Sequence, residues 1–121
     1  MSKELILVVD DDRDLAVLLE RILVEEGYQV ATAYDGSSAL TLLDTQKPDL
    51  IILDVMMPGI NGLEILNSVR KNHNIPVIML SAKKDEATLR NAFDAGADDY
   101  IRKPFRRLEL LARIRTKLRR A

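Results

Sequence analysis

The chain has 121 residues, 47% of them hydrophobic and 31% charged, with a formal net charge of -1. This length suits a single domain, and the composition is that of a folded globular protein rather than a disordered or strongly nucleic-acid-binding one. No cysteine is present, which excludes disulfides, zinc–thiolate sites and thiol catalysis.

Apolar runs of strand length alternate with amphipathic helical patterns five times along the chain. The first run ends at Val9, too short for a signal peptide or a membrane span, so we expect a cytoplasmic protein with no membrane partner. A helix that stops at Gly27 follows, then a second helix that starts at Asp35 and is closed off by Pro48. The predicted strands cover 5–9, 28–33, 50–53, 76–80 and 99–102, and the later helices cover 62–69, about 85–95 and the segment after Pro104.

Near-continuous apolar strands indicate a parallel sheet covered on both faces. The predicted fold class is α/β: a three-layer (αβα) sandwich around a doubly wound, five-stranded parallel sheet of order 2-1-3-4-5. Right-handed crossovers put two helices on one face and three on the other, with strand one at the centre and strand three beside it. The last helix is expected to pack through one stripe: Leu108, Leu111, Ala112, Arg115 and Leu118.

Acidic residues follow two of the predicted strands, where strand ends meet at one edge of the sheet. Asp10 and Asp11 come after strand one, and Asp54 comes after strand three in a loop rich in Met, Pro and Gly. Gathered carboxylates repel one another unless a cation joins them, so this cluster indicates a divalent ion. Ser81 and Lys103 are delivered to the same edge, and the set as a whole is typical of phosphoryl transfer with Mg²⁺.

The motifs VVDDD at 8–12, LDVMMP at 53–58 and RKPF at 102–105 resemble those of the receiver domains of two-component response regulators. The resemblance covers essentially the whole chain and implies a flavodoxin-like, CheY-like fold with one receiver domain over 1–121 and no output domain within the chain. It implies that Asp54 accepts a phosphoryl group from the phosphohistidine of a sensor histidine kinase or phosphotransfer protein. Mg²⁺, or Mn²⁺ in its place, would be held by Asp10, Asp11, Asp54 and the backbone carbonyl of Met56.

The same resemblance assigns a switch. Ser81 and Lys103 would hold the phosphoryl oxygens, with a cis peptide bond between Lys103 and Pro104. Ser81 would move toward the phosphoryl group, and Tyr100 would turn inward into the space left behind. The chain would catalyse its own phosphorylation and dephosphorylation without being a turnover enzyme, and Met56 and Lys83 would influence how long the phosphoryl group survives.

The C-terminal stretches GADDY and LELLAR resemble the OmpR/PhoB class, whose receivers dimerise through helix four, strand five and helix five next to a DNA-binding domain. Transcription would then be controlled through an output domain or partner outside this chain. That class carries an arginine where this chain has Leu89. A salt-bridged homodimer is expected to use Asp98, Asp99, Glu109, Arg102, Arg113 and Arg119.

Three alternative functions fit the sequence less well. A calcium loop starting at Asp10 fails because Leu15 and Arg21 stand where Gly and Glu are required. A haloacid-dehalogenase-like phosphatase would use Asp10 as nucleophile and Asp12 as acid/base, but the residues that follow do not match that family. Direct nucleic-acid binding by the basic segment 102–120 is not expected, because half of that helix must pack on the sheet and its basic residues also complement the helix dipole.

Overall fold

The computed structural model describes residues 3–57, 59, 61–82 and 86–120. Five strands alternate with five helices, as the sequence predicts. The strands are β1 (Leu5–Val9), β2 (Gln29–Ala33), β3 (Leu50–Asp54), β4 (Val77–Ser81) and β5 (Asp99–Arg102). The helices are α1 (Arg13–Glu25), α2 (Gly36–Gln46), α3 (Gly62–Asn72), α4 (Glu86–Asp94) and α5 (Arg107–Arg120). Position 85, the predicted start of α4, and Lys83 lie outside the described residues.

The sheet is parallel throughout, in the order β2-β1-β3-β4-β5, which confirms the predicted order. The middle strand is β3, however, so the prediction that strand one occupies the centre was wrong. The chain starts at β1, steps to β2 on one side, and then crosses to β3 on the other side. Because the connection that leaves β1 runs to β2 on one side and the connection that leaves β3 runs to β4 on the other, a crevice opens at the carboxyl ends of β1 and β3.

Two apolar clusters cover the two faces of the sheet. One contains residues of α2, α3 and α4, and the other contains residues of α1 and α5, so the predicted division of three helices and two is confirmed. All five residues of β3 and of β4 are buried, which explains why these segments read as unbroken apolar runs.

Helix α5 packs through a different stripe from the predicted one. Its buried residues are Leu110, Leu111 and Ile114, whereas Leu108 is 81% exposed. Ala112 and Arg115 are exposed as well, so of the predicted stripe only Leu111 and the half-buried Leu118 face the sheet. The buried positions still follow helical spacing, but the helix is rotated by about one residue from the predicted orientation.

Side-chain caps fix the helix starts that border the crevice. Asp12 accepts a hydrogen bond from the Leu15 amide at the start of α1. Asn61 and Glu64 form a reciprocal capping box at the start of α3. Among the described residues, none of the helices combines the length and the apolar character needed to cross a membrane.

Candidate phosphoryl-acceptor and metal site

Asp10 leaves the end of β1 and is held firmly in place. Its backbone amide donates to the carbonyl of Ala33 at 3.1 Å, which extends the β1–β2 ladder by one residue. Its carboxylate accepts the Asp12 amide at 3.0 Å and the Lys103 ammonium at 3.1 Å, and the residue is only 2% exposed. Asp11, next along the chain, is exposed. The adjacent pair therefore offers one fixed, buried carboxylate and one that faces solvent.

Asp54 is the last residue of β3 and is 4% exposed. The prediction that it lies in an open loop was therefore wrong, because the strand continues through it and pairs it with Leu80 of β4. Its carboxylate accepts the Met56 amide at 3.2 Å, so the loop that follows turns back over the side chain. The backbone of Asp54 is consequently fixed by the sheet, and only its carboxylate reaches the crevice.

Lys103 joins the acids across the crevice. Its ammonium nitrogen lies 3.1 Å from Asp10 Oδ2 and 3.6 Å from Asp54 Oδ2. The Lys103–Pro104 peptide bond is cis, the geometry that the family resemblance implies. The Lys103 amide also donates to the Ser81 carbonyl at 2.8 Å, so the ends of β4 and β5 are tied together beside the acids. Ser81 itself is completely buried.

The pKa of the Asp54 carboxyl is raised from its ordinary value to about 7. Burial is the largest cause, and the negative charge of Asp10 is the second. The Lys103 ammonium and the hydrogen bond from Met56 act in the opposite direction but do not cancel the first two effects. A carboxyl group titrating near neutrality is typical of a functional site rather than of a structural ion pair.

The donor set fits a hard divalent cation. Asp10, Asp11 and Asp54 can each offer a carboxylate oxygen such that all three atoms lie within 4.8 Å of one another. Magnesium prefers carboxylate oxygens completed by water, and the exposed Asp11 leaves that side of the site open to solvent. Burial and the charge of Asp10 together raise the pKa of Asp54 more than Lys103 lowers it, so a cation at this site would favour the ionised carboxylate.

Tyr100 lies on β5, which β4 separates from the strand that carries Asp54. It is buried, 8% exposed, in the cluster that includes α4 residues. The family resemblance implies that this ring turns inward on activation. The ring is already buried in this structure. An inward turn would therefore have to start from a second, more exposed position of the Tyr100 ring. Leu89 of α4 is half-buried against the same cluster.

A groove of about 640 Å³ adjoins Lys103 on the face of α1 and α5. Its walls are largely apolar: Leu15, Leu18, Ile22, Ala82, Pro104 and Phe105. Leu18 is 44% exposed, so one wall of the groove presents an apolar side chain to solvent. The crevice that holds the acids is thus bordered by a largely apolar surface.

Four of the six residues expected to bridge a dimer, Asp98, Asp99, Glu109 and Arg113, already form ion pairs within the chain. Arg113 lies 2.6 Å from Asp99 and 3.5 Å from Glu109. Asp98 accepts Arg70 at 2.7 Å, and the same arginine donates to the carbonyls of Ile75 and Gly96. Arg70 thus joins α3 to the loops before β4 and β5. No local sequence pattern signals this role, so Arg70 was not predicted.

Comparisons with known proteins agree with this geometry. The family model for the response regulator receiver domain matches residues 6–115. A CheY-like receiver domain protein from Methanospirillum hungatei JF-1 is 30% identical with a TM-score of 0.93, over 98% of this chain and 96% of that one. A putative response regulator from Chloroflexus aurantiacus J-10-fl is 38% identical with a TM-score of 0.90, over 97% of this chain and 98% of that one. The BeF3-activated N-terminal receiver domain of Klebsiella pneumoniae RstA is 30% identical with a TM-score of 0.92, over 95% of this chain and 98% of that one.

Proposed function

The chain belongs to the response regulator receiver domain family, and from that membership we propose that it is a Mg²⁺-dependent switch phosphorylated on Asp54. It is a signalling component of a two-component system rather than a turnover enzyme. The observation that carries the assignment is the convergence of Asp54, two further carboxylates and the Lys103 ammonium at one sheet edge. We include in the proposal the single receiver unit over 1–121 and a cytoplasmic location.

In the proposed reaction, an Asp54 oxygen attacks the phosphorus of a phosphohistidine on a kinase or phosphotransfer protein. The O–P bond forms as the N–P bond breaks, and the released imidazole takes up a proton. Lys103, which in the resting site contacts both Asp10 and Asp54, is placed to bind the phosphoryl oxygens. Mg²⁺ held by Asp10, Asp11, Asp54 and the Met56 carbonyl would stabilise the charge spread over the transferring group.

The groove beside Lys103 suits the approach of a macromolecular donor. Its apolar walls adjoin the crevice, and apolar surface is what a protein partner buries on binding. A protein that covers the groove can hold its phosphohistidine near Asp54. We therefore assign the kinase or phosphotransfer partner to the face of α1 and α5.

The energetics require two groups to act together in the switch. A charge-assisted hydrogen bond is worth about 1.5–3 kcal/mol, whereas moving a population from 1:99 to 99:1 takes about 5.5 kcal/mol. Ser81 and Lys103 binding the phosphoryl oxygens together can supply most of that energy, and neither can do so alone. Because Lys103 follows β5 directly, we propose that the change is passed along β5 to Tyr100.

We further propose that phosphorylation favours a homodimer through α4, β5 and α5, and that the output is transcription control by a domain or partner outside this chain. Forming intermolecular bridges would require Asp99 and Arg113 to exchange partners. Asp99 is buried, so the exchange must give its carboxylate a new cationic partner as the contact with Arg113 breaks. The similar receiver domain of RstA is N-terminal, which fits an output region after it. It is also BeF3-activated, which fits activation by a phosphoryl mimic.

The direct test is labelling with ³²P-acetyl phosphate in Mg²⁺. Asp54→Asn should abolish the label, because the amide is a poor nucleophile and removes a ligand charge. Asp35→Asn makes the same chemical change at an exposed helix cap, so it should label as the wild type does. The wild-type label should be sensitive to hydroxylamine, as an acyl phosphate is.

Mapping the modified residue separates this proposal from the phosphatase alternative. Label on Asp10 that survives in Asp54→Asn would identify Asp10 as the nucleophile. Asp12 would then have to act as acid/base, although its carboxylate is engaged as the α1 cap. Undiminished labelling of Asp54→Asn would overturn the assignment of Asp54.

A further inference from the structure

Gly62, the first residue of α3, lies against the backbone of the phosphoryl acceptor. Its amide donates to the Val55 carbonyl at 3.0 Å. A Cβ atom built on Gly62 would overlap the Asp54 carbonyl oxygen and would come within 2.8 Å of Val55 Cα and 2.9 Å of the Asp54 carbonyl carbon. The atoms that a side chain would meet all belong to the backbone, so no side-chain rotation can relieve the overlap.

The required displacement can be gauged from ordinary contacts. Two non-bonded carbon atoms settle about 3.5–4.0 Å apart, so an alanine here would separate α3 from the end of β3 by about 1 Å. The helix cannot yield easily, because Ile65, Leu66 and Val69 are at most 2% exposed in the core. The strand is equally constrained, since β3 pairs with β1 and β4 on its two sides.

Between these two rigid elements, the displacement falls on the residues that directly follow β3. The Met56 amide donates to the Asp54 carboxylate. The Gly62 amide donates to the Val55 carbonyl, which ties the first residue of α3 to the residue after Asp54. A displacement at Gly62 is therefore transmitted to the Asp54 carboxylate and to the peptide of Met56.

We propose that Gly62 is a positioning residue of the phosphoryl-acceptor site, which acts by letting α3 approach the Asp54 peptide closely enough to fix Asp54 and the Met56 carbonyl relative to the acids of β1. Magnesium requires near-ideal octahedral ligands, and functional groups must be held within about 0.5 Å of their working positions. A shift of about 1 Å exceeds that tolerance and can reduce a rate by about 10²-fold. This inference rests on the proposed function.

The test compares Gly62→Ala with Glu64→Ala. The control lies in the same turn of α3 and removes the Glu64 carboxylate that accepts the Asn61 amide at 3.3 Å, so it weakens the capping box without adding an atom near Asp54. Each variant is melted without metal, its Mg²⁺ dissociation constant is measured by calorimetry, and its rate of phosphorylation by acetyl phosphate is measured at saturating Mg²⁺. This separates metal affinity from the rate that remains once the metal is bound.

Gly62→Ala should remain folded, bind Mg²⁺ at least about tenfold more weakly, and label about 10²-fold more slowly even at saturating metal. Glu64→Ala should lower the melting temperature while keeping wild-type metal affinity and rate. Wild-type values for Gly62→Ala, or equal losses of affinity and rate in both variants, would overturn the inference. If Gly62→Ala is unfolded in buffer, the measurements are made in trimethylamine N-oxide, which favours compact states; failure to fold there would assign Gly62 to the fold rather than the site.

The result for the wild-type protein distinguishes failure of the proposed function from failure of the positioning role of Gly62. If the wild-type protein is not labelled on Asp54, the proposed function fails, and Gly62 is judged by Mg²⁺ affinity alone. If the wild type is labelled and Gly62→Ala matches it, only the positioning role fails.

Discussion

The raised pKa of Asp54 predicts that the metal-free protein is more stable in mild acid than at pH 8. The unperturbed pKa is 3.8, and the folded-state pKa is about 7 because the carboxyl is buried beside Asp10. The folded state therefore binds the Asp54 proton more tightly than the unfolded state does. This proton contributes its full stabilisation below pH 3.8, and the stabilisation is lost as the pH rises through about 7.

The magnitude follows from the size of the shift. Each pKa unit corresponds to 1.36 kcal/mol, so the whole effect is at most about 4 kcal/mol, and roughly half of it or more falls between pH 5 and pH 8. Asp54→Asn replaces the carboxyl by a neutral amide of the same shape, so the variant should not carry the cost of ionising a buried group, which the wild type carries in full at pH 8. At pH 8 without metal, the variant should be more stable than the wild type, with a melting temperature raised by about 10 °C.

The assay is urea unfolding in EDTA at pH 5, 6, 7 and 8. The difference in unfolding free energy between Asp54→Asn and the wild type should grow with pH and level off above about 7. Asp35→Asn is the matched control: Asp35 is an exposed cap whose pKa is lowered by its hydrogen bonds to Ser38, so its stabilising effect is lost only in stronger acid. Its curve should run parallel to the wild-type curve from pH 5 to 8. Parallel curves for Asp54→Asn as well would refute the reasoning.

Three further results are expected. The wild-type Mg²⁺ affinity, measured by calorimetry, should fall about tenfold per pH unit below pH 7 and be constant above it, because the metal must displace the Asp54 proton; a flat profile would contradict this. Asp11→Ala should weaken Mg²⁺ binding at least about tenfold yet change the metal-free stability by no more than about 0.5 kcal/mol, since Asp11 is exposed; a large loss in the metal-free melt would make Asp11 structural. Sedimentation with beryllium fluoride and Mg²⁺ should show a dimer that is absent without them, and a monomer in both states up to about millimolar protein would exclude phosphorylation-dependent dimerisation.

Local sequence signals predicted the strands and the residues at their ends, but they could not predict every orientation. Strand β1 was predicted with the observed bounds because an apolar run is followed at once by three aspartates. The rotation of α5 was not, because the sequence LELL offers apolar residues on two adjacent stripes. Phe105, which precedes the helix and packs with α1 and α5 residues, helps to select the observed stripe. That choice depends on tertiary packing rather than on periodicity.

In the candidate site, too, the sequence predicted which residues meet but not how deeply they are buried. The residue types and their order along the chain predicted that Asp10, Asp54 and Lys103 would meet, because parallel strands end at one edge. Their burial could not be predicted: Asp54 reads as a loop residue beside Met, Pro and Gly, yet the sheet encloses it. The sequence also does not predict the contact between Gly62 and the Asp54 backbone. The pattern N-G-x-E at 61–64 signals a helix start but not what that start touches.

The burial of Asp54 makes its reactivity depend on its counter-charge. With a pKa of about 7, about half of the Asp54 carboxyls carry a proton at neutral pH without metal, and a protonated carboxyl is a poor nucleophile. When ionised, the three carboxylates and Lys103 sum to a charge of -2, which one divalent cation neutralises. In the proposed function, the three carboxylates would hold that cation, and its charge would favour the ionised, nucleophilic form of Asp54. A phosphoryl group on Asp54 would add negative charge again, and Lys103, 3.6 Å from Asp54 Oδ2, is placed to bind it.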